Sequence, residues 1–155
     1  MDARYKDYFQ SYTNTLPDSE LAKIGGVETT YFCDDEYNTN ECARLVAEGR
    51  KQATCSVKEA YKIEDVDFPQ VGQHQIVLDW DKNPVCIVKI TNVSFRPFGL
   101  VSREFAESEG EGDGTYEWWY KAHNDFFTED CKSSYGIDFN DSTELVLVSF
   151  ERVFK

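Results

Sequence analysis

The chain has 155 residues, 41% hydrophobic and 15% aromatic, and its 29 acids against 16 bases give a formal net charge of −13. That length suits one domain able to bury a core without staples, and that apolar content excludes disorder as the default. A field of that sign repels polyphosphate, which excludes broad binding of long duplex nucleic acid unless the bases gather on one face; a small or locally presented substrate suits it better.

In chain order, Tyr5, Tyr8, Phe9 and Tyr12 lie at helical spacing within residues 2–12 and predict an amphipathic helix, ended by Leu16-Pro17-Asp18. Asp18 or Ser19 can cap a short helix through Leu21 and Ile24, which Gly25-Gly26 breaks. Residues 1–26 therefore read as an N-terminal helical extension, and 27–155 as one globular unit. Asp34-Asp35-Glu36 lacks further hard ligands at loop spacing and reads as solvated charge ahead of the next helix rather than a metal site.

Asn38 and Glu41 have capping-box spacing, and Cys42, Leu45 and Val46 give that helix one apolar face. Gly49 can take positive φ past its end, so the chain turns sharply into a strand from Ala53 to Val57. Lys51 sits at this corner with Thr54 three residues on. That arrangement is either an anion-binding or nucleophile-activating pair, or a solvated lysine favoured near a helix C-terminus. Residues 58–67 read as a polar loop. Ile76, Leu78 and Trp80 share one face of a strand over 75–80, Asp81-Lys82-Asn83-Pro84 turns, and 85–95 is its antiparallel partner. Residues 145–155 form a last strand, apolar on both faces, which predicts an α+β fold in which a small β-barrel is flanked by several helices.

Ser102 can cap a helix carrying Arg103, Glu104 and Phe105. If it runs through Glu109, then Val101, Phe105 and Glu109 fall within about an 80° arc, with Glu107 nearly opposite. Glu109 then faces the core and needs a cation or a raised pKa, unless Gly110 ends the helix early and frees the side chain to water. The glycines of Glu109-Gly110-Glu111-Gly112-Asp113-Gly114 allow backbone to pass close to a pocket; with no lysine and no preceding strand, the segment is no phosphate loop. Tyr116, Trp119, Tyr120, His123 and Phe127 then form a helical stripe. His123 on it is either a hydrogen-bonded core histidine or a base, and Trp118 and Phe126 on the neighbouring face either pack or stack on a nucleobase. Cys33, Cys42, Cys55, Cys86 and Cys131 are odd in number and lack CxxC spacing. Five free thiols, no metal and no cofactor are expected. Without a basic leader followed by an apolar run, or eighteen consecutive apolar residues, a soluble cytoplasmic protein with no membrane partner is expected.

Gly49-Arg50-Lys51 followed by Thr54-Cys55-Ser56, then Pro69-Gln70-Val71-Gly72, Asp79, Pro84-Val85-Cys86-Ile87 and above all Phe105-Ala106-Glu107-Ser108-Glu109-Gly110-Glu111-Gly112-Asp113 with Trp118-Trp119 and His123 resemble the ASCH domain family, in its bacterial subgroup with the acidic-glycine segment. The resemblance covers roughly residues 30–155 and implies a PUA-like β-barrel with a cleft for a nucleoside or RNA-derived ligand. Two classes of function follow from it. One is amidohydrolysis of N4-acetylcytidine by a lysine, a threonine and a glutamate, which match Lys51, Thr54 and Glu109. The other is an RNA-binding module or a ribonuclease acting on short single-stranded RNA. Arg50, Ser56, Glu111, Asp113, Trp118 and His123 are the accompanying candidates for ligand contact, in a monomer or weak homodimer.

Two departures from the family pattern stand out. The family often carries Glu at the Thr54 position and Arg at the Ser56 position, so an anion clamp is missing. Lys51 and Thr54 also differ by an odd number, so they cooperate only if the chain is still turning at Lys51. The acyl-transfer reading has Thr54 attack the amide carbonyl, Lys51 with a desolvation-lowered pKa take the hydroxyl proton, and Glu109 orient it. The geometric expectation is a Lys51–Glu109 hydrogen bond inside a concave pocket, with Thr54 close by.

Overall fold

The computed structural model of the chain describes residues 1–155. Its runs of Val, Ile, Leu and Phe pair as five strands: β1 (Val27–Thr30), β2 (Ala53–Val57), β3 (His74–Leu78), β4 (Pro84–Pro97) and β5 (Glu144–Phe154). They form one mixed sheet in the order β1-β3-β4-β5-β2, parallel between β1 and β3 and antiparallel elsewhere. With six helices the fold is α+β, but the expected closed barrel is not formed, because β1 and β2 are the two edges and no ladder joins them. The strands are apolar on both faces because helices cover both. Val77, Cys86, Val88 and Phe150 pack under α3 (Glu36–Ala47), whereas Ile76, Leu78 and Ile87 pack against α1 (Ala3–Thr13) through Tyr5, Tyr8, Phe9 and Tyr12. On β5, Leu145 and Leu147 meet α6 (Tyr116–Asp130) through Trp119 and Phe127, and the alternate residues Val146 and Val148 meet Tyr61.

Helix α2 (Asp18–Leu21) is a single turn before β1. The start of α3 differs from the sequence expectation. Its cap is Asp35, whose carboxylate accepts from Asn38 N at 2.9 Å, so Asn38 lies inside the first turn. Asp35 therefore has a structural task that the reading of residues 34–36 as solvated charge missed. Residues 58–67 are also not all loop. Lys58–Glu64 form α4, which packs Ala60 and Tyr61 onto the sheet and ends at Asp65 in the left-handed region. The two apolar residues are too few to stand out in a polar stretch. Trp80 falls beyond β3, whose register shifts at Val77/Leu78 before a turn held by Asp79 accepting from Asn83 N at 2.8 Å. Strand β1, four residues long with three polar side chains, carries no sequence periodicity of its own.

Candidate functional site

The corner after α3 is built from backbone. Arg50 N and Lys51 N both donate to Leu45 O at 2.9 and 3.1 Å, Gln52 N donates to Ser108 O at 2.8 Å, and Phe150 N donates to Gln52 O at 3.0 Å. Gly49 takes φ +77° to make the turn. The corner is thus pinned to the end of α3, to β5 and to the last residue of α5 (Arg103–Ser108). Lys51 precedes the first residue of β2, so its direction is set by the turn and the odd spacing to Thr54 does not separate them. Both line one pocket.

Helix α5 ends at Ser108, one residue short of Glu109, yet Glu109 remains 1% exposed. Gly110 at φ +67° carries the chain directly over the corner, where a Cβ would overlap the Arg50 carbonyl, and this close approach holds Glu109 inward. The Lys51 Nζ donates to Ala53 O at 2.9 Å, to Glu109 Oε1 at 3.1 Å and to Glu111 Oε2 at 3.1 Å, with its side chain 2% exposed. All three ammonium protons are engaged. Burial alone works against the charged lysine, but the two carboxylates outweigh it and hold its pKa above the ordinary value. This reverses the sequence expectation of a lowered lysine pKa, which counted desolvation and one carboxylate where the structure supplies two. Burial likewise pushes the Glu111 carboxyl up, yet the Lys51 charge and hydrogen bonds from Cys42 and Lys51 bring it below the usual range.

Glu109 Oε2 is the most crowded atom of the site. It accepts from Trp119 Nε1 at 2.5 Å and from Cys55 Sγ at 3.4 Å, and His123 Nε2 stands 3.4 Å away. His123 Nδ1 lies 2.8 Å from Trp119 O; a carbonyl only accepts, so Nδ1 carries the proton there and Nε2 is turned to the carboxylate. The ring stacks on Trp119 at 4.6 Å between centroids. The aromatic stripe of α6 is therefore both core and scaffold, started by Thr115, whose hydroxyl accepts from Trp118 N at 3.2 Å. Above this floor lies a cavity of about 300 Å³. Its walls are Phe32 on one side, with the Lys51 ammonium 5.3 Å from the ring centroid, and the half-exposed Trp118 and Phe126 on the other.

Of the residues singled out in the sequence, Lys51, Thr54, Glu109, Glu111, Trp118 and His123 line this cavity. Arg50, Ser56 and Asp113 do not. Arg50 points away and faces Glu48 at 3.9 Å, Ser56 is tied to Tyr61 by a 2.8 Å hydroxyl contact, and Asp113 accepts from Thr115 at the start of α6. Sequence reasoning missed Phe32, Cys33, Asn38, Cys42, Cys55 and Ala122 as cavity residues, whereas Phe126, which it left between packing and stacking, lines the cavity. Most of those missed are supplied by the 32–42 segment, where the acidic run, the capping spacing at Asn38 and the apolar face at Cys42 were signals of a helix and not of a cavity. All five cysteines are free, as expected. Two groups bring possible metal donors within 4.8 Å of one another, Cys33 with Cys42 and Glu111, and Cys55 with Glu109 and His123. In the second, the carboxylate oxygen is already committed to Trp119 and Cys55. No helix is long and apolar enough to cross a membrane.

A family model described as an ASCH domain matches residues 28–154. A crystal structure of an ASCH domain from Lactobacillus crispatus is 39% identical, with a TM-score of 0.94 over 100% of this chain and 97% of that one. A crystal structure of a protein from Enterococcus faecalis is 32% identical, with a TM-score of 0.81 over 99% of this chain and 90% of that one. Among curated proteins none matches the chain significantly.

Proposed function

Because the chain belongs to the ASCH domain family, we propose that its cavity binds a nucleoside or a short single-stranded RNA end, and that it hydrolyses the amide of an N4-acylated cytidine. The observation that carries this reading is the buried Lys51 ammonium held between Glu109 and Glu111 on the floor of a cavity that also contains Thr54 and is walled by aromatic rings. A planar base stacks on Trp118 or Phe126, and the amide carbon descends toward Thr54.

A lysine that donates three hydrogen bonds is no base at rest. In the proposed cycle the entering substrate excludes water, Lys51 passes one proton along its hydrogen bond to Glu109, and the neutral amine takes the proton of the Thr54 hydroxyl as its oxygen attacks the carbonyl. The carbonyl π bond opens to a tetrahedral oxyanion. On collapse the C–N bond breaks, the ammonium returns its proton to the departing cytosine nitrogen, and Thr54 is left as an acyl ester. Water, deprotonated by the same amine, attacks that ester; on collapse the C–Oγ bond breaks to release the carboxylic acid, the ammonium gives its proton to the Thr54 oxygen, and Glu109 then returns its own proton to the neutral lysine.

Charge favours this chemistry over phosphate chemistry. Lys51 is the only lysine or arginine lining the cavity, and two carboxylates offset it. A phosphodiester would meet surplus negative charge, whereas a neutral base does not. The test is to measure binding of cytidine and of a generic single-stranded oligonucleotide over a salt series, together with release of cytidine from N4-acetylcytidine. The proposal expects turnover, and nucleoside binding that changes little with salt. Tight oligonucleotide binding that falls steeply with salt, without turnover, would make the domain an RNA-binding module instead.

A further inference from the structure

We propose that Cys33, Cys42 and Glu111 form a binding site for a thiophilic divalent cation of the zinc class at the mouth of the cavity. The site adjoins the amide chemistry proposed above and shares Glu111 with it, but its occupancy does not depend on that chemistry.

The donors come from three places that the fold draws together. Cys42 lies on the buried face of α3. Cys33 lies in the loop leading to that helix, and Glu111 follows the Gly110 crossing. Cys33 Sγ is 3.9 Å from Cys42 Sγ, and Cys42 Sγ is 3.2 Å from Glu111 Oε1. Two zinc–thiolate bonds of about 2.3 Å meeting at a tetrahedral angle set their sulfurs about 3.8 Å apart, and a thiolate and a carboxylate oxygen on the same ion lie about 3.5 Å apart. The sulfur pair already has the spacing of one edge of that tetrahedron. The donor atoms of all three residues lie within 4.8 Å of one another, so a shift of roughly an ångström completes the face.

Backbone conformation gives a second, independent sign. Cys33 sits at φ +65°, in the left-handed region that a residue with a Cβ rarely takes. Such strain clusters at functional sites. Its thiol meets Cys42, and its residue is exposed, which gives an ion a way in. Glu111 also divides its two oxygens, with Oε2 on Lys51 and Oε1 on Cys42, so an ion can take Oε1 in place of the Cys42 S–H without breaking the lysine contact. Two sulfurs and one oxygen suit zinc or a similar soft ion better than magnesium or calcium. Three protein donors leave a fourth position open to the cavity. Binding is balanced as one dication displacing two thiol protons, with no oxidant involved. The spacing of eight residues between the cysteines hides the site from a search for short metal motifs.

The test is cobalt(II) titration of the fully reduced chain under anaerobic conditions, followed by zinc. One equivalent of cobalt is expected to give a thiolate-to-cobalt charge-transfer band that zinc abolishes. Cys33→Ser, at an exposed position, should remove the band while leaving the thermal midpoint of the metal-free protein in place. Glu111→Gln should weaken binding roughly tenfold or more, and Cys86→Ser should keep the band. On the unaltered chain, zinc should shield Cys33 and Cys42 from alkylation, as read by peptide mapping. The proposal is overturned if no band forms, if the band survives Cys33→Ser, or if zinc leaves both thiols as reactive as before.

Discussion

Replacing Lys51 by methionine keeps the length of the side chain and removes its charge. Glu109 and Glu111 then lose a donor that lies 3.1 Å from each, and Ala53 O loses one at 2.9 Å. Glu109, 1% exposed, cannot turn to water. Removing one partner of a buried pair costs about 3–5 kcal/mol, because the charge left behind stays desolvated. For a domain of this size each kcal/mol lowers the melting midpoint by about 2–4 °C, so a fall of roughly 6–20 °C is expected by calorimetry or circular dichroism. Adding Glu109→Gln to Lys51→Met removes the stranded charge. The double variant should therefore be more stable than the sum of the two single changes by about 0.5–3 kcal/mol. A Lys51→Met protein within about 0.5 kcal/mol of the parent, the range of ordinary surface changes, would refute the reasoning.

The same ion pairs set a pH window for the metal-free protein. Lys51 is raised above 10.5, so its contribution is complete below that value and is lost as pH rises through the folded value; Glu111 is lowered below 4.5, so its contribution is complete above that value and is lost on acidification. The stability gap between parent and Lys51→Met should be constant from about pH 5 to pH 10 in denaturant titrations; a gap already closing near pH 8 would mean that the lysine is not held protonated. Gly110→Ala should lower the denaturant midpoint by more than about 1 kcal/mol equivalent, since it combines a left-handed backbone with an overlap on Arg50, and a neutral result would disprove the close crossing. Trp118→Ala should weaken cytidine binding by about 1–3 kcal/mol, roughly 5- to 150-fold by calorimetric titration; unchanged affinity would remove the stacking wall. Glu107→Gln, on the outer side of α5, should change neither stability nor any turnover, and a loss of either would put the functional carboxylate at the wrong residue.

What the sequence disclosed depended on how local the cause was. The turn at Gly49 follows from one helix end; one helical period aimed Glu109 inward, where the Gly110 crossing holds it although α5 stops at Ser108, and the Lys51–Glu109 contact stands at 3.1 Å. The aromatic helix was equally legible, because its stripe runs over three turns. The second carboxylate on Lys51 was not, since Glu111 lies in a glycine segment without periodicity, and that omission is why the expected direction of the lysine pKa came out reversed. The opposite wall of the cavity, Phe32 with Cys33, Asn38 and Cys42, is brought over by the parallel β1–β3 pairing and by α3 crossing the sheet. No local pattern encodes such a long-range approach. The closed barrel failed for a related reason. Strands apolar on both faces are equally well satisfied by an open sheet with helices on each side, and sequence alternation cannot distinguish the two.

The most direct test of the proposed chemistry is the initial rate of cytidine release from N4-acetylcytidine by the parent chain and by Thr54→Val, which deletes the attacking oxygen at nearly constant volume. The account predicts turnover by the parent, and for Thr54→Val an unchanged melting midpoint, retained cytidine binding and a rate reduced by at least about a hundredfold, the low end of what such groups supply. A parent without turnover, or a Thr54→Val variant as fast as the parent, would contradict it.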